Sequence, residues 1–355
     1  MENYDALLLV SFGGPERAED IIPFLENVTR GRGIPQERLR IVAEHYVHLG
    51  GRSPLNDQNR ALIAALRRDF DGHGLHLPIF FGNRNWAPLL VDAVAEMKDA
   101  GVKRALAFLT SAYSSYSGCR QYRGDIEQAR GAVGGAPLIE PLRRFFNHPG
   151  FVEASIERVQ AAWDQLGTAL DPHRRAAARL VFTAHSIPRS MASTSDYELQ
   201  LRATAALIAE RIGHPHWDLV WQSRSGPPQI PWLEPDILDH VRALRARGTP
   251  GLVIAPIGFL SDHVEVLYDL DVEARRLCQE LGLSMVRAGT VGTHPRFVDT
   301  IRELVLERLQ GDPPRSLGPL PPSPQVCAPG CCPAPERPAR GAHPLPSSTP
   351  PTGAP

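Results

Sequence analysis

The stretch LVIAPIGFLSDHVEVLYDLDVE, residues 252–273, contains one complete strand–turn–helix unit. It opens with a β-rich apolar run, continues through a Pro/Gly turn, and then repeats apolar and acidic residues with a helical period. The same order of apolar run, turn and amphipathic stretch recurs along most of the chain. This alternation predicts an α/β fold in which parallel sheets carry helices on both faces.

Working outward from this unit, we predict two halves, each a small parallel sheet with helices on both faces. The predicted strands are 6–11, 79–82, 104–111 and 137–141 in the first half, and 178–184, 218–222, 252–257 and 284–288 in the second. The predicted helices are 16–28, 36–49, 57–70, 88–100, 118–130, 151–166, 196–212, 234–247, 261–281 and 295–310. The predicted domains are 1–168 and 175–292, joined through the polar stretch 167–175, with a helix in 293–311 packing back on the first half.

The end of the chain differs in composition from the rest. Residues 313–355 hold 15 of the 34 prolines and show little aliphatic periodicity, so they cannot form a packed core. We expect a cysteine-bearing extension over 312–332 and a disordered tail over 333–355. Three of the five cysteines lie in the extension, and this arrangement favours metal or cluster ligation over a disulfide framework.

Charge and hydropathy exclude several function classes. Lys+Arg 38 against Asp+Glu 39 leaves a formal net charge of −1, which indicates no general attraction to nucleic acid or anionic lipid. The apolar run near the N-terminus is too short for a signal peptide, and no stretch approaches the roughly 18 apolar residues that span a bilayer. We therefore expect a cytoplasmic protein without membrane insertion that binds a small molecule.

Ligands of such folds bind beyond the carboxyl ends of the strands, where His185 is predicted to lie. Imidazole is a common metal ligand and a base near neutral pH, but a half-buried histidine bonded to backbone fits the position equally. On the predicted helix 261–281, Asp262, Glu265, Asp269 and Glu273 recur at i, i+3, i+7 and i+11. They form either a solvated acidic face or a carboxylate ladder that binds a divalent cation.

Six motifs together resemble the ferrochelatase family over about residues 4–309. They are SFGGP at 11–15, TRGRG at 29–33, GGRSPL at 50–55, TAHSIP at 183–188, WQSRSGPPQIPWLEPD at 221–236 and PIGFLSDHVEVLYDLD at 256–271. The resemblance implies a lyase of haem biosynthesis with two Rossmann-like domains. Such an enzyme inserts ferrous iron, its substrate, into a porphyrin held in a cleft between the domains.

The resemblance also assigns residues. His185 and Glu265 match the catalytic pair that binds the iron or accepts the two pyrrole protons, and Asp269 and Glu273 match an acidic pair that binds a second divalent ion such as Mg²⁺. Porphyrin contacts are expected from segments that contain Phe12, Arg30, Arg32, Ser53, Tyr116 and Tyr122. Phe12 departs from Gram-positive relatives, which commonly place a tyrosine there, and a phenyl ring cannot ligate iron.

The cysteines match relatives that carry a [2Fe–2S] cluster, which needs four thiolates. The expected ligands are Cys119, Cys327, Cys331 and Cys332, whereas Cys278 sits among leucines as a small hydrophobic residue. Four thiolates would equally satisfy zinc.

Two porphyrins are used within the family. Residues 45–53 lack a cluster of large apolar residues, so we favour coproporphyrin III, the substrate of soluble Gram-positive (actinobacterial-type) members, over protoporphyrin IX. The product would be Fe-coproporphyrin (coproheme), with a hand-over to the next enzyme of the haem pathway as a further expectation. A non-catalytic tetrapyrrole or metal carrier and a cobalt or nickel chelatase are the alternatives.

Overall fold

Two four-stranded parallel sheets form the centre of the molecule, which we describe from a computed structural model over residues 3–31, 33–226 and 229–334. The first sheet contains β1 (Ala6–Ser11), β2 (Ile79–Asn83), β3 (Arg104–Leu109) and β4 (Leu138–Pro141) in the order β2-β1-β3-β4. The second contains β5 (Arg179–His185), β6 (Trp217–Gln222), β7 (Gly251–Ala255) and β8 (Ser284–Arg287) in the order β6-β5-β7-β8. The two sheets therefore share one topology, and the predicted fold class is confirmed.

Helices cover both faces of each sheet. They are α1 (Ile21–Val28), α2 (Gln36–His48), α3 (Leu55–Gly72), α4 (Leu90–Asp99), α5 (Gln121–Ala132), α6 (Pro149–Ala169), α7 (Pro172–Ala176), α8 (Arg189–Ala192), α9 (Tyr197–Arg211), α10 (Ile237–Ala246), α11 (Val264–Val266), α12 (Arg275–Glu280) and α13 (Pro295–Leu309). A 3₁₀ turn at Ala18–Asp20 precedes α1, and two π-helical segments, Tyr116–Arg120 and Leu267–Ala274, precede α5 and α12.

One hydrophobic core runs through both sheets. It includes Leu7 of β1, Phe108 of β3, Phe182 of β5 and Val253 of β7, all at most 1 % exposed. Two helices fill the space between the sheets: α6 contacts β7, β8 and α9, and α13 contacts α6 and α3. Truncating a side chain such as Phe182 to alanine in this core costs about 3–5 kcal/mol of folding free energy.

The chain after α13 is fastened to the first half by buried polar contacts. Arg143 and Glu307 form a buried two-bond ion pair at 2.6 and 2.7 Å, and Gln325 donates to the same carboxylate at 2.9 Å. Leu317 N–H donates to the Asn147 carbonyl, and the Asn147 amide donates to the Leu320 carbonyl, both at 2.9 Å. These bonds guide the extension towards Cys119.

One sequence expectation is wrong in detail. The helix predicted over 261–281 begins at Val264, and its middle is π-helical, with more residues per turn than an α-helix. The predicted crossing over 167–175 overlaps two helices, since α6 continues to Ala169 and α7 occupies Pro172–Ala176. The disordered tail is predicted over 333–355, and all of it except Pro333 and Ala334 lies outside the described residues, as does Arg32.

Candidate active site

The first group of candidate residues lies where the strand order of the second sheet reverses. β5 and β7 are neighbours, and the connections that follow them leave in opposite directions, which creates a crevice at their carboxyl ends. β5 ends at His185, and the loop after β7 leads to Glu265. The loop closes tightly on β5, since Gly258 N–H donates to the Thr183 carbonyl at 3.1 Å. A Cβ at Gly258 would come within 2.6 Å of the Ala184 backbone.

Side-chain alternation explains why this end of the sheet is polar. On one face of the sheet, Val181, Val220 and Ile254 pack beneath Val266 and Leu270 of the acidic helical segment. Two residues further along the same faces come Thr183 and Gln222, and then His185. The apolar part fixes the helical segment on the sheet, and the polar end faces the acidic residues.

The hydrogen bond of His185 decides which ring nitrogen is available. Nδ1 lies 2.5 Å from the Ser186 carbonyl oxygen, which can only accept, so Nδ1 carries the hydrogen. The neutral ring therefore presents the lone pair of Nε2, and this nitrogen lies 3.7 Å from Glu265 Oε2. The Tyr197 hydroxyl donates to the His185 carbonyl at 3.0 Å and holds the backbone at this point.

A second histidine, which sequence reasoning missed, lies on the other side of Glu265. His263 Nδ1 accepts a hydrogen bond from the Val266 backbone at 3.3 Å, so its Nε2–H points outward, 3.9 Å from Glu265 Oε2. Loss of water around the ring lowers the pKa of His263, and the Glu265 charge opposes this effect. Glu265 thus lies between a lone pair on His185 and a hydrogen-bond donor on His263.

Asp269 is the most perturbed carboxyl of this group. Its Oδ2 accepts hydrogen bonds from Ser223 Oγ and, at 3.2 Å, from Gln222 Nε2. Burial, opposed by the Ser223 bond and reinforced by the charges of Glu265 and Glu273, raises the pKa of Asp269 to about 7. Ser223 adopts a left-handed backbone conformation, φ 60°, which is uncommon outside glycine.

The predicted carboxylate ladder of four residues is wrong at its first member. Asp262 precedes the helix and forms an ion pair with Arg287 at 3.1 Å, while the same arginine binds Asp271. Glu265, Asp269 and Glu273 remain as acidic residues of the segment. Burial raises the pKa of Glu273, Arg276 opposes the shift, and Asp236 adds to it.

The second group of candidate residues, which we call the aromatic wall, follows the strands of the first sheet. Phe12 packs edge-on against Phe24 at 6.2 Å, and Phe24 contacts Tyr46 at 6.1 Å and Trp86 at 6.2 Å, also edge-on. Burial, followed by the Glu265 charge, raises the pKa of Tyr46. Phe24 thus joins Phe12, Tyr46 and Trp86 into one aromatic cluster.

The remaining predicted porphyrin residues lie in different settings. Phe12 is 39 % exposed and Arg30 is exposed, whereas Ser53 is buried beside Gly14. Tyr116 is half-buried in the π-helical segment that precedes α5.

Tyr122 is buried beneath Arg84, whose guanidinium lies 4.4 Å from the Tyr122 ring centre and 5.9 Å from that of Phe12. Arg84 also forms an ion pair with Asp125, which fixes the guanidinium against the two rings.

Contacts from α2 and α3 join the first half to residues on either side of Glu265 in the sequence. The His45 ring of α2 stacks on Tyr268 with ring centres 3.7 Å apart and planes 7° apart, and His48 contacts Tyr268 edge-on. The Gln58 side chain of α3 donates to the Asp262 carbonyl at 2.6 Å and accepts from Asp262 N–H at 2.9 Å. We call these contacts the rim.

A separate set of cysteines comprises Cys119, in the segment Tyr116–Arg120, and the three cysteines of the extension, and the Arg120 side chain donates to the Cys331 carbonyl at 3.4 Å. The buried Cys119 thiol accepts a bond from Arg144 Nε at 3.1 Å, and the sulfur atoms of Cys331 and Cys332 lie 3.5 Å apart. Hydrogen bonding from Cys332, opposed by burial and aided by Arg144, lowers the pKa of Cys119 to about 5. Burial and the neighbouring Cys331 raise the pKa of Cys327.

Cys278 is buried in the apolar layer of the second half, as its setting predicts. Across residues 3–31, 33–226 and 229–334, no group of three or more His, Cys, Asp or Glu side chains has the geometry of a metal site.

The residues that sequence reasoning missed share a property. Gln222 and His263 lie within the quoted motifs and Tyr46 and Arg84 lie outside them, but the contacts of all four depend on tertiary structure. The sequence of the motif PIGFLSDHVE offered one signal, a histidine two residues before Glu265. The remaining contacts follow from the tertiary structure.

Comparison with solved structures defines the class of fold. The sirohydrochlorin chelatase SirB of Bacillus subtilis, solved with cobalt, superimposes with a TM-score of 0.52 and 11 % identity over 87 % of this chain and 97 % of that one. SirB solved with Fe³⁺ gives a TM-score of 0.51, 12 % identity, and coverage of 87 % and 98 %. The architecture is therefore that of a chelatase.

Sequence comparison identifies the family. The ferrochelatase family model matches residues 4–309, and the chain belongs to the ferrochelatase family. A ferrochelatase of Rhodopirellula baltica is 54 % identical over 93 % of each chain. Coproporphyrin III ferrochelatases of Nocardia farcinica and Streptomyces coelicolor are 51 % and 52 % identical, covering 94 % and 93 % of this chain and 98 % and 94 % of theirs. The family assignment from the six motifs is confirmed.

The helices were also compared with the length and hydropathy that a bilayer requires. Within the described part of the chain, none is both long enough and apolar enough to span a membrane.

Proposed function

We propose that this protein inserts ferrous iron into coproporphyrin III and releases Fe-coproporphyrin and two protons. The observation that carries the proposal is the Nε2 lone pair of His185 at 3.7 Å from Glu265 Oε2, together with the aromatic wall at the corresponding end of the first sheet. Family membership and relatives at about half identity named coproporphyrin III ferrochelatase support the substrate.

The chemistry of metallation fits this division of side chains. Each iron that enters displaces two pyrrole protons, so the site needs acceptors and a ligand set that releases the metal. A neutral imidazole nitrogen and a carboxylate supply both, since they bind Fe²⁺ and can accept protons near neutral pH. The aromatic wall would provide an apolar surface for the macrocycle, and Arg84 beside Phe12 and the exposed Arg30 are candidate partners for propionates.

The polar character of α2 favours coproporphyrin III over protoporphyrin IX. Its exposed residues include Glu37, Arg38, Arg40 and Glu44, with Ile41 and Val47 as the exposed large apolar side chains. A substrate with four propionates suits this charged surface of α2 better than a substrate that partitions into lipid.

The two porphyrins can be compared directly in steady-state assays with Fe²⁺ under anaerobic conditions. We expect a kcat/KM at least tenfold higher for coproporphyrin III. Equal values, or a preference for protoporphyrin IX, would contradict the substrate assignment. A His185→Ala variant that binds porphyrin without inserting iron separates an enzyme from a carrier, and replacing Fe²⁺ with Co²⁺ or Ni²⁺ tests the other chelatase activities. Hand-over of the product to the next enzyme stays a prediction.

We also propose that Cys119, Cys327, Cys331 and Cys332 hold a [2Fe–2S] cluster. The gathering of four thiols, the low pKa of Cys119 and the Arg144 N–H aimed at its sulfur support this ligand set. Bound there, the cluster would supply one-electron chemistry at a site separate from His185.

An anaerobic absorption spectrum tests the cluster, with Cys278→Ser as the matched control for Cys119→Ser. We expect visible absorption in the wild type and the control, and its loss in Cys119→Ser. A colourless, iron-free wild-type sample would exclude the cluster, and one zinc per chain would indicate the alternative metal.

A second divalent ion such as Mg²⁺ is proposed at Asp269 and Glu273. Both residues lie on the π-helical segment Leu267–Ala274, and burial raises the pKa of both carboxyls. A bound cation would stabilise their charged forms. Binding of Mg²⁺ would require loss of the Asp269 proton, so the affinity should increase from pH 6 to pH 8. Titration calorimetry at the two pH values measures this change, and equal affinities would argue against Asp269 as a ligand.

A further inference from the structure

Gln222 joins the sheet to the acidic helical segment through one carboxamide. It is the last residue of β6, is fully buried, and is in register with His185 on β5. Its Oε1 accepts a hydrogen bond from Thr183 Oγ1 at 2.8 Å. Its Nε2 donates to Asp269 Oδ2 at 3.2 Å and to the Glu265 backbone carbonyl at 3.3 Å.

These contacts bear on the catalytic geometry because Glu265 and His185 come from different elements. Glu265 lies in the first helical turn, immediately before the π-helical segment Leu267–Ala274, and its backbone position sets the distance to His185. Gln222 holds that backbone from the sheet that also carries His185. A misplacement of about 1 Å between reacting groups costs on the order of 10²-fold in rate.

A buried glutamine could merely fill space at a strand end. The residues before it argue otherwise, because Val181 and Val220 occupy the same sheet face with apolar side chains. The face becomes polar only at Thr183 and Gln222, and there the amide uses its donors on the two acidic residues. An apolar side chain at position 222 would leave the Thr183 hydroxyl and Asp269 with fewer partners.

We infer that Gln222 is a positioning residue for metal insertion, acting through the backbone of Glu265 and supported by Thr183. This inference rests on the proposed roles of His185 and Glu265. The inference predicts an effect of Gln222 on the rate of metal insertion and no effect on porphyrin binding, which we assign to the aromatic wall.

The first test is Gln222→Met, which keeps length and burial but removes both hydrogen-bonding ends. We expect kcat to fall about 10–100-fold, while the porphyrin Kd, measured by fluorescence quenching, stays within twofold. An unchanged kcat, or a loss confined to porphyrin binding, would overturn the inference.

The second test asks whether Gln222 acts through Glu265. Single-turnover insertion is measured for Glu265→Ala with and without Gln222→Met. If Gln222 positions Glu265, the second substitution changes the residual rate less than twofold in the Glu265→Ala background. An equal fold-loss in both backgrounds would mean that Gln222 affects insertion independently of Glu265, and the inference would fail.

Two further variants protect the test against loss of folding. Thr183→Val removes the hydroxyl that holds the Gln222 amide; we expect a 3–10-fold fall in kcat that disappears in the Glu265→Ala background. Thr204→Val removes another fully buried hydroxyl, which donates to the Phe146 carbonyl at 2.8 Å, and should leave kcat within twofold.

Failure of this inference is distinguishable from failure of the proposed function. If the wild type inserts no iron, or if His185→Ala inserts it normally, the proposed function fails. If both of these behave as expected and the Gln222 and Thr183 variants match the wild type, only the inference fails.

Discussion

The walls built by the two sheets share a topology and differ in chemistry. In the first sheet β1 ends at Ser11 and leads into Phe12, and in the second the equivalent strand β5 ends at His185. Around Phe12 the neighbours are aromatic rings and a guanidinium, whereas around His185 they are carboxylates, a second histidine and an amide. The fold supplies two equivalent strand ends, and the residues that follow each strand give them different chemistry. We propose that the aromatic end binds the macrocycle and that the end with His185 binds the metal and accepts protons.

The largest expected effect of a single substitution is at His185, in the group of polar residues at the end of the second sheet. His185→Ala removes the Nε2 lone pair beside Glu265, and we expect kcat for iron insertion to fall by about 10³-fold, roughly 4 kcal/mol of transition-state stabilisation. The porphyrin Kd should stay within twofold. Stopped-flow metallation and fluorescence quenching measure the two quantities. A large loss of porphyrin affinity would show that His185 also contributes to porphyrin binding, and the proposed separation of the two functions would be wrong.

Substitutions in the aromatic wall should instead raise the KM for porphyrin and leave kcat unchanged. Phe12→Ala removes a ring that contacts Phe24 and Arg84, and we expect the KM for porphyrin to rise about tenfold, near 1.4 kcal/mol, with kcat unchanged. Leu138→Ala, at the first residue of β4 and similarly exposed, is the matched control and should alter neither constant. A fall in kcat for Phe12→Ala would break the comparison.

A smaller effect is expected on the pH dependence of stability. The pKa of Asp269 is raised to about 7, so between its usual pKa near 4 and pH 7 the folded protein keeps a proton that the unfolded chain has lost. Stability from this group is therefore present at low pH and is lost as the pH rises through 7.

The substitution Asp269→Asn removes that loss. Relative to wild type, we expect the variant to gain about 2 kcal/mol of unfolding free energy between pH 5 and pH 8, less than the full shift implies because the side chain keeps some contact with water. Thermal denaturation at the two pH values without added divalent metal measures the difference. Parallel curves would mean that Asp269 is ionised throughout.

The smallest effect is expected from Phe12→Tyr. If the metal chemistry is confined to His185 and Glu265, a phenol on the aromatic wall should change kcat by less than about threefold. Steady-state metallation measures this. An increase of tenfold or more would mean that both walls supply iron ligands.

Much of the fold follows from local sequence patterns. The eight strands are short apolar runs bounded by turns, and each appears within two residues of its predicted position. The π-helical geometry of Leu267–Ala274 was not predictable from the same patterns. The number of residues per turn differs little between an α-helix and a π-helix, and an eight-residue segment is too short for the sequence pattern to distinguish them.

The sequence predicted the main residues of the candidate site, but it did not predict the contacts between them. Motif order gave His185 and Glu265 as candidates, and the 3.7 Å between them is a product of strand pairing that no local pattern encodes. Asp262 shows the limit of spacing arguments: it fits the i, i+3 pattern, yet Arg287 on β8 neutralises it from a strand about 25 residues away in sequence. Charge patterns identify candidates, and tertiary contacts decide which of them remain unpaired.

The continuous core has a mechanical consequence. Because Leu7, Phe108, Phe182 and Val253 belong to one packed interior, the two halves form one stiff body and cannot rotate about a hinge without exposing that interior. The rim is held more weakly, by the His45–Tyr268 stack and the Gln58 bonds to Asp262. We therefore expect a flat substrate to enter through local movement of α2 and the neighbouring π-helical segment rather than through rotation of the two halves.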